Sequence, residues 1–288
     1  MDTLNKTKGI LKLNDIKAKK AFGQNFLIDD NILSEIITCS NIKEDELIIE
    51  IGPGLGNLTD YILSETKNLI TIELDDKMID ILNSRFTGLY VINKDILKCN
   101  IDDVIDEYET KNNIKFNSYK VIANLPYYIT SPIIFKLIQD SKKVSDIIVM
   151  VQEEVANRMI AIPRTKDYSV LTVMLNFYSN VTKVITVPNT AFIPSPNVIS
   201  SVVYISKDNK YANYNEKLFI DLVHKSFLLR RKKLVNSLFM NNFLNLSKER
   251  IEKILIDNNI DLNSRAEELS IDKYLNILDY ICKSDILI

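Results

Sequence analysis

The chain has 288 residues, 46% hydrophobic and 26% charged, the balance of a globular protein with room for one large core and a smaller second one, which excludes a fibrous or disordered class. A formal net charge of −2 excludes polyanion binding through a uniformly positive surface, so any nucleic-acid contact must come from local patches. Cys39, Cys99 and Cys282 lie far apart without C-x-x-C spacing, which supports neither a disulfide framework nor a zinc site; with no leader pattern and no bilayer-length apolar stretch, the chain reads as soluble and cytoplasmic, with no membrane partner.

Lys17, Lys19 and Lys20 form a first basic patch. From about residue 30 to residue 205, short Ile- and Val-rich runs alternate with segments of helical periodicity, the pattern of a parallel sheet flanked by helices. The predicted strands are Leu47–Ile51, Leu69–Glu73, Leu89–Ile92, Tyr119–Ala123, Asp146–Val151, Val181–Val187 and Ser201–Ile205. The last two are joined by a Pro-containing loop too short for a crossover helix, so they are expected to pair antiparallel at one edge.

The first strand runs through Glu50 and Ile51 into Gly52-Pro53-Gly54-Leu55-Gly56, with Asn57 as the predicted helix cap and Asp60 three residues on. Glycines let the backbone turn sharply and approach a ligand, and the helix N-terminus offers unpaired N–H groups, so Gly52 and Gly54 are candidate cofactor contacts. A dinucleotide fingerprint starting at Gly52 would want glycine where Asn57 stands. A plain strand-to-helix turn is the alternative. The second strand ends in Glu73, placed to accept a ribose diol, while Asp75 and Asp76 suit the cap of the next helix. Asp95 follows the third strand at the same edge, as an acceptor for an adenine amine or as an ordinary loop carboxylate.

The fourth strand runs into Asn124-Leu125-Pro126-Tyr127-Tyr128. An exocyclic adenine amine is a poor nucleophile because its lone pair is delocalised into the ring. The Asn124 amide oxygen and the Leu125 carbonyl would draw the amine's hydrogens, Pro126 would restrain that carbonyl, and Tyr127 would stack on the base. An ordinary Pro-aromatic turn is the alternative.

Ser206–Lys217 is polar, and beyond it the pattern turns helical. The expected domains are 1–207, a cofactor-binding domain with an N-terminal covering segment, and 208–288, a small all-helical domain. Leu218, Phe219, Leu222 and Val223, then the run Arg230-Arg231-Lys232-Lys233, then Leu234, Leu238 and Phe239 predict a helix with an apolar stripe and a basic shoulder. That run is either an RNA contact or a solvated face. Further helices are expected over Lys248–Asn258 and Ile271–Cys282, and His224, the single histidine, reads as a helix-surface residue.

In order along the chain, Lys20–Leu27 (KAFGQNFL), the glycine turn, Glu73, Asp95, Asn124–Ile134 (NLPYYITSPII), Gln152–Ala161, Phe192–Pro196 (FIPSP) and Arg265–Ser270 (RAEELS) carry a resemblance to a known family. The chain resembles, over nearly its whole length, the KsgA family of small-subunit (16S) ribosomal RNA adenine-N6,N6-dimethyltransferases. The resemblance implies a Rossmann-like, seven-stranded class I methyltransferase sheet with an antiparallel edge strand. It also implies S-adenosylmethionine as methyl donor, no metal, and dimethylation of two adjacent adenosines near the 3′ end of small-subunit RNA late in subunit assembly, by an enzyme expected to be a monomer. It further implies that Asn25, Leu27, Gly52, Glu73, Asp95 and Asn124 line the cofactor pocket and that Phe192 faces Tyr127 across a flipped base. The chain departs from the family at Asn197 and Ile199, where a lysine and an acid are usual, and at Ser169, where glycine is usual. The rival readings are a large-subunit adenine methyltransferase of the erythromycin-resistance type, disfavoured by Leu125, the 128–132 extension and the Arg265 motif, and a non-catalytic RNA-binding or assembly factor on the same fold.

Overall fold

The computed structural model describes residues 2–16 and 24–284, so Lys17, Lys19, Lys20 and the Lys20–Gly23 part of the first motif lie outside the described residues. The chain divides into two units, Met1–Ala156 with Val181–Lys207 and Asn157–Asn180 with Asp208–Ile288.

The strands are β1 (Phe26–Leu27), β2 (Leu47–Ile51), β3 (Leu69–Glu73), β4 (Tyr90–Asn93), β5 (Tyr119–Asn124), β6 (Val144–Gln152), β7 (Ser179–Val187), β8 (Phe192–Ile193) and β9 (Ser200–Lys207). Seven of them form one sheet in the order β4-β3-β2-β5-β6-β9-β7. β2 through β6 pair in parallel, and β9 runs antiparallel to β6. Every residue of β2 and β3 is buried, which is why these strands read as continuous apolar runs: helices cover both faces of the sheet. The last two long strands are neighbours, but the antiparallel one is not outermost. The helical connection after β6 carries β7 to the edge, and the short return through 188–199 brings β9 back between them.

The chain begins the sheet at β2 and builds outward on both sides, so the crevice at the carboxyl ends of β2 and β5 is the topological switch point where ligands bind in such sheets. A two-stranded pairing of Phe26 with Ile193 and Leu27 with Phe192 ties the segment before the helix Asp30–Ser40 to the loop before β9. Leu27 and Phe192 share one buried cluster with Leu33, Ile48, Leu58, Ile122, Met150 and Val202. The helix Thr3–Leu13 contributes Ile10 and Leu11 to a second cluster, against Phe26, Leu55, Met78 and Ile81.

The second unit holds helices Val170–Tyr178, Glu216–Phe227, Leu234–Met240, Lys248–Asp257 and Ile271–Lys283. Phe177 stacks on Phe219 with ring centroids 4.0 Å apart. The RAEELS motif is its knot: the Tyr274 hydroxyl donates to Ala266 O at 2.9 Å, and the Tyr168 hydroxyl to Leu269 O at 2.8 Å. Ser169, at an extended φ of −154°, starts its helix by donating its N–H to Thr172 Oγ1 at 3.1 Å; nothing about this position requires glycine.

The basic run does not sit on a continuous helix. The helix that begins at Glu216 ends at Phe227, and the run lies in the turn before Leu234. Ser237 explains the break: its hydroxyl donates to Lys225 O at 2.7 Å and accepts the Leu229 N–H at 3.3 Å, satisfying end groups that a continuing helix would have paired.

Candidate active site

Gly52, Gly54 and Gly56 sit at φ of +66°, +56° and +81°, a region open to glycine and costly for other residues. A side chain at Gly56 would also meet the Phe86 ring at 2.5 Å, whereas nothing lies within 4 Å of the place a Gly52 side chain would occupy. The turn therefore packs tightly underneath and leaves open space above Gly52. Gly56, not Asn57, is the N-cap of helix Asn57–Glu65. Asn57 is used otherwise: its buried amide donates to Leu27 O at 2.8 Å and to Thr7 Oγ1 at 2.9 Å, clamping β1 and the first helix to the turn. Arg85 braces the turn from the outside, donating to Leu55 O and to Asp60 at 2.5 Å.

Glu73 ends β3 beside this turn. One carboxylate oxygen accepts the Gly54 N–H at 3.1 Å and the other the Leu74 and Asp75 N–H groups at 2.8 and 2.9 Å, so its orientation is fixed before any ligand arrives, although burial still pushes its pKa up. Asp75 caps the next helix, accepting the Lys77 N–H, and also takes a hydrogen bond from the Gln24 amide at 3.1 Å. Asp95 caps the turn Ile96–Lys98 through one oxygen. Glu50, fully buried, accepts the Thr59 hydroxyl at 2.6 Å, and burial foremost pushes its pKa up to about 8.

Glu73, Asp75 and Asp95, with Lys94 as the cation and Glu50 held protonated by burial, are the acidic and basic side chains that line one pocket among the described residues, whose other walls include Gln24, Asn25, Phe26, Leu27, Gly52, Gly54, Leu125 and Tyr128. Such an acidic lining opposes a pyrophosphate and suits a nucleoside that carries net positive charge.

Asn124 terminates β5 at the same pocket, and its Nδ2 donates to Asn25 O at 3.1 Å. With the donor end of the amide engaged, Oδ1 is the end left to accept. The Leu125 N–H is held by Met150 O at 3.2 Å, and Pro126 O accepts the Ile129 N–H at 3.2 Å and the Thr130 hydroxyl at 3.1 Å, so the tetrapeptide is fixed on both sides. The Tyr127 ring is half-buried, with its hydroxyl 2.7 Å from Ser200 Oγ. Burial raises its pKa, so the phenol stays neutral.

The sequence profile of the ribosomal RNA adenine dimethylase family matches residues 15–283. The chain belongs to this family. The ribosomal RNA small subunit methyltransferase A of Bacillus cytotoxicus is 40% identical over 279 residues, 94% of each chain, and that of Clostridioides difficile is 41% identical over 275 residues, 94% of this chain and 93% of the relative. Among solved structures, a dimethyladenosine transferase from Plasmodium falciparum matches with a TM-score of 0.74 and 28% identity over 88% of this chain and 96% of its own. The 23S rRNA methyltransferase ErmE, at 20% identity and a TM-score of 0.66 over 90% of this chain and all of its own, shares the fold, that of class I methyltransferases.

Of the residues that the sequence and its family resemblance assign to the site, Asn25, Leu27, Gly52, Gly54, Glu73, Asp95, Asn124, Leu125, Pro126 and Tyr127 all line the one pocket. Phe192 does not. It is 2% exposed and sits within the core cluster beside Leu27, with which it pairs across β1 and β8. Sequence reasoning missed the parts of Glu50 and Asn57, which line this pocket, and of Ser200, which holds Tyr127 from behind its wall. Of the basic run, Arg230 pairs with Glu267 at 2.5 Å and donates to Lys166 O at 2.5 Å, and Lys233 donates to Asn263 at 2.6 Å. Arg231 and Lys232 are exposed. No described helix is long and apolar enough to cross a membrane.

Proposed function

We infer that this rRNA adenine dimethyltransferase moves methyl groups from S-adenosylmethionine to the N6 amines of adenosines in the small ribosomal subunit, two adjacent ones near the 3′ end of 16S RNA. The observation that carries the reading is Asn124, an amide anchored by its donor end and set in one pocket with the glycine turn. The relatives of about 40% identity named for the small subunit support the choice of target.

Bound there, S-adenosylmethionine supplies an electrophilic methyl group on a sulfonium. Glu73 would accept the ribose diol, Asp95 the adenine amino group, and the open space over Gly52 would take the amino-acid portion. On the substrate side, the target base is flipped out and stacks on Tyr127, while Asn124 Oδ1 and the Leu125 carbonyl accept its amine hydrogens and orient the lone pair. These acceptors also favour the positive charge that develops on nitrogen during transfer. Arg231 and Lys232 would meet RNA phosphates.

The test is to offer labelled S-adenosylmethionine with unmethylated small or large subunits and to analyse the product nucleosides by mass. Dimethyladenosine in the small subunit is expected; label confined to the large subunit would move the assignment to the erythromycin-resistance type.

A further inference from the structure

Tyr127 and Tyr128 are consecutive in one 3-10 turn, Tyr127–Ile129, where successive side chains point about 120° apart. Tyr127 has its hydroxyl bound to Ser200. Tyr128 lines the same pocket yet is 58% exposed, and it makes no hydrogen bond or ring contact among the described residues. The fold gains little from an aromatic side chain left uncovered at a pocket mouth, and rings of this amphipathic kind are enriched where a partner covers them. Flipping a base into the pocket separates it from its stacked neighbour and leaves that neighbour's face bare at the mouth.

We propose that Tyr128 is a stacking platform for the nucleotide next to the target adenosine, holding the strand splayed while the target base occupies the pocket. The proposal rests on the reading of the pocket as an adenosine N6 methylation site. Stacking on an aromatic face tolerates any base, so Tyr128 adds affinity for the opened strand without adding sequence preference. Its side chain makes no hydrogen bond to the glycine turn or to Glu73 among the described residues, so its part is read on the strand rather than on the cofactor, and cofactor Kd is measured beside KM to keep the two apart.

The test uses the full-length protein, wild type, Tyr128→Ala and Tyr128→Phe, with unmethylated small subunits and labelled S-adenosylmethionine. Tyr128→Ala is expected to raise KM for the subunit roughly tenfold, the scale of one base–aromatic stack, and by more than it shifts cofactor Kd; Tyr128→Phe keeps the wild-type KM. A wild-type KM in Tyr128→Ala, or equal impairment in Tyr128→Phe, overturns the platform and leaves the methylation reading standing. Failure of the wild-type protein to label the small subunit overturns the methylation reading itself.

Discussion

The Tyr127 and Ser200 hydroxyls lie 2.7 Å apart, joining positions 73 residues distant in the chain. Ser200 is fully buried and pairs with Gln152 where β9 begins, so it is a fixed point. Because burial keeps the phenol neutral, the bond persists through neutral pH and sets the tilt of the ring on which the target base is read to stack. Removing either hydroxyl frees the ring. Ser200→Ala and Tyr127→Phe are each expected to lower kcat on the order of tenfold while leaving cofactor affinity unchanged, and the double variant should be no worse than the poorer single. Single-turnover methylation rates for the three variants check this; additive losses would mean that the hydroxyls act separately.

Asn124→Ala removes the acceptor assigned to the amine. Loss of one oriented hydrogen-bonding group at a reacting centre costs roughly 10²–10³ in kcat, and that is the expected fall, with S-adenosylmethionine binding within a few-fold of wild type. Binding calorimetry beside initial rates separates the two effects. A near-normal yield of dimethyladenosine would show that the amide has no such role.

The parts of this site that the sequence discloses are those in which the deciding residue is local. Gly52, Glu73 and Asn124 each stand at the end of an apolar run, and a strand end followed by a residue of unusual chemistry is readable from a few neighbours. Asn57 looked like a helix cap because caps are inferred from residue type; Gly56 at φ +81° makes the turn, and the Asn57 amide goes to Leu27 O thirty residues away. Phe192 reads as a site residue by motif, yet burial is decided by the β1–β8 pairing, which no spacing announces. The apolar stripe from Leu218 to Phe239 is compatible with one helix or two, and the choice is made by the Ser237 hydroxyl turning back to Lys225 O.

Glu50 gives the folded protein a pH signature. It is held protonated up to about pH 8 by burial, aided by the Glu73 and Asp60 charges and opposed by the Thr59 hydrogen bond and Arg85. The unfolded chain loses this proton near the ordinary glutamate value of about 4.3. Between those values the folded state binds more protons, so this group lowers stability progressively as pH rises from about 4.3 to about 8, and no further above. Glu50→Gln keeps the shape without the ionisation. Its unfolding free energy relative to wild type should be near parity at about pH 4.5 and should climb toward about pH 8, by an amount on the order of a few kcal/mol at most. A difference that stays constant with pH would mean that Glu50 titrates in the folded protein as it does in the unfolded one.

The four consecutive cations at 230–233 are not equivalent, and their replacement separates structure from RNA binding. Arg230 is engaged by Glu267 and by Lys166 O, so Arg230→Gln should lower the unfolding free energy slightly, by less than about 1 kcal/mol for an ion pair this exposed to solvent. Arg231 and Lys232 form no ion pair among the described residues, and their neutralisation should leave Tm unchanged. If they meet RNA phosphates, Arg231→Gln with Lys232→Gln weakens binding to the small subunit and reduces the slope of log affinity against log salt by about 0.7–0.9 for each phosphate no longer neutralised. Cofactor affinity should not move, since neither residue lines the pocket. Filter binding across a salt series gives the slope directly. A double variant with the wild-type slope would make the run a solvated face, and RNA recognition would then have to come from the residues around Tyr128 and the pocket mouth.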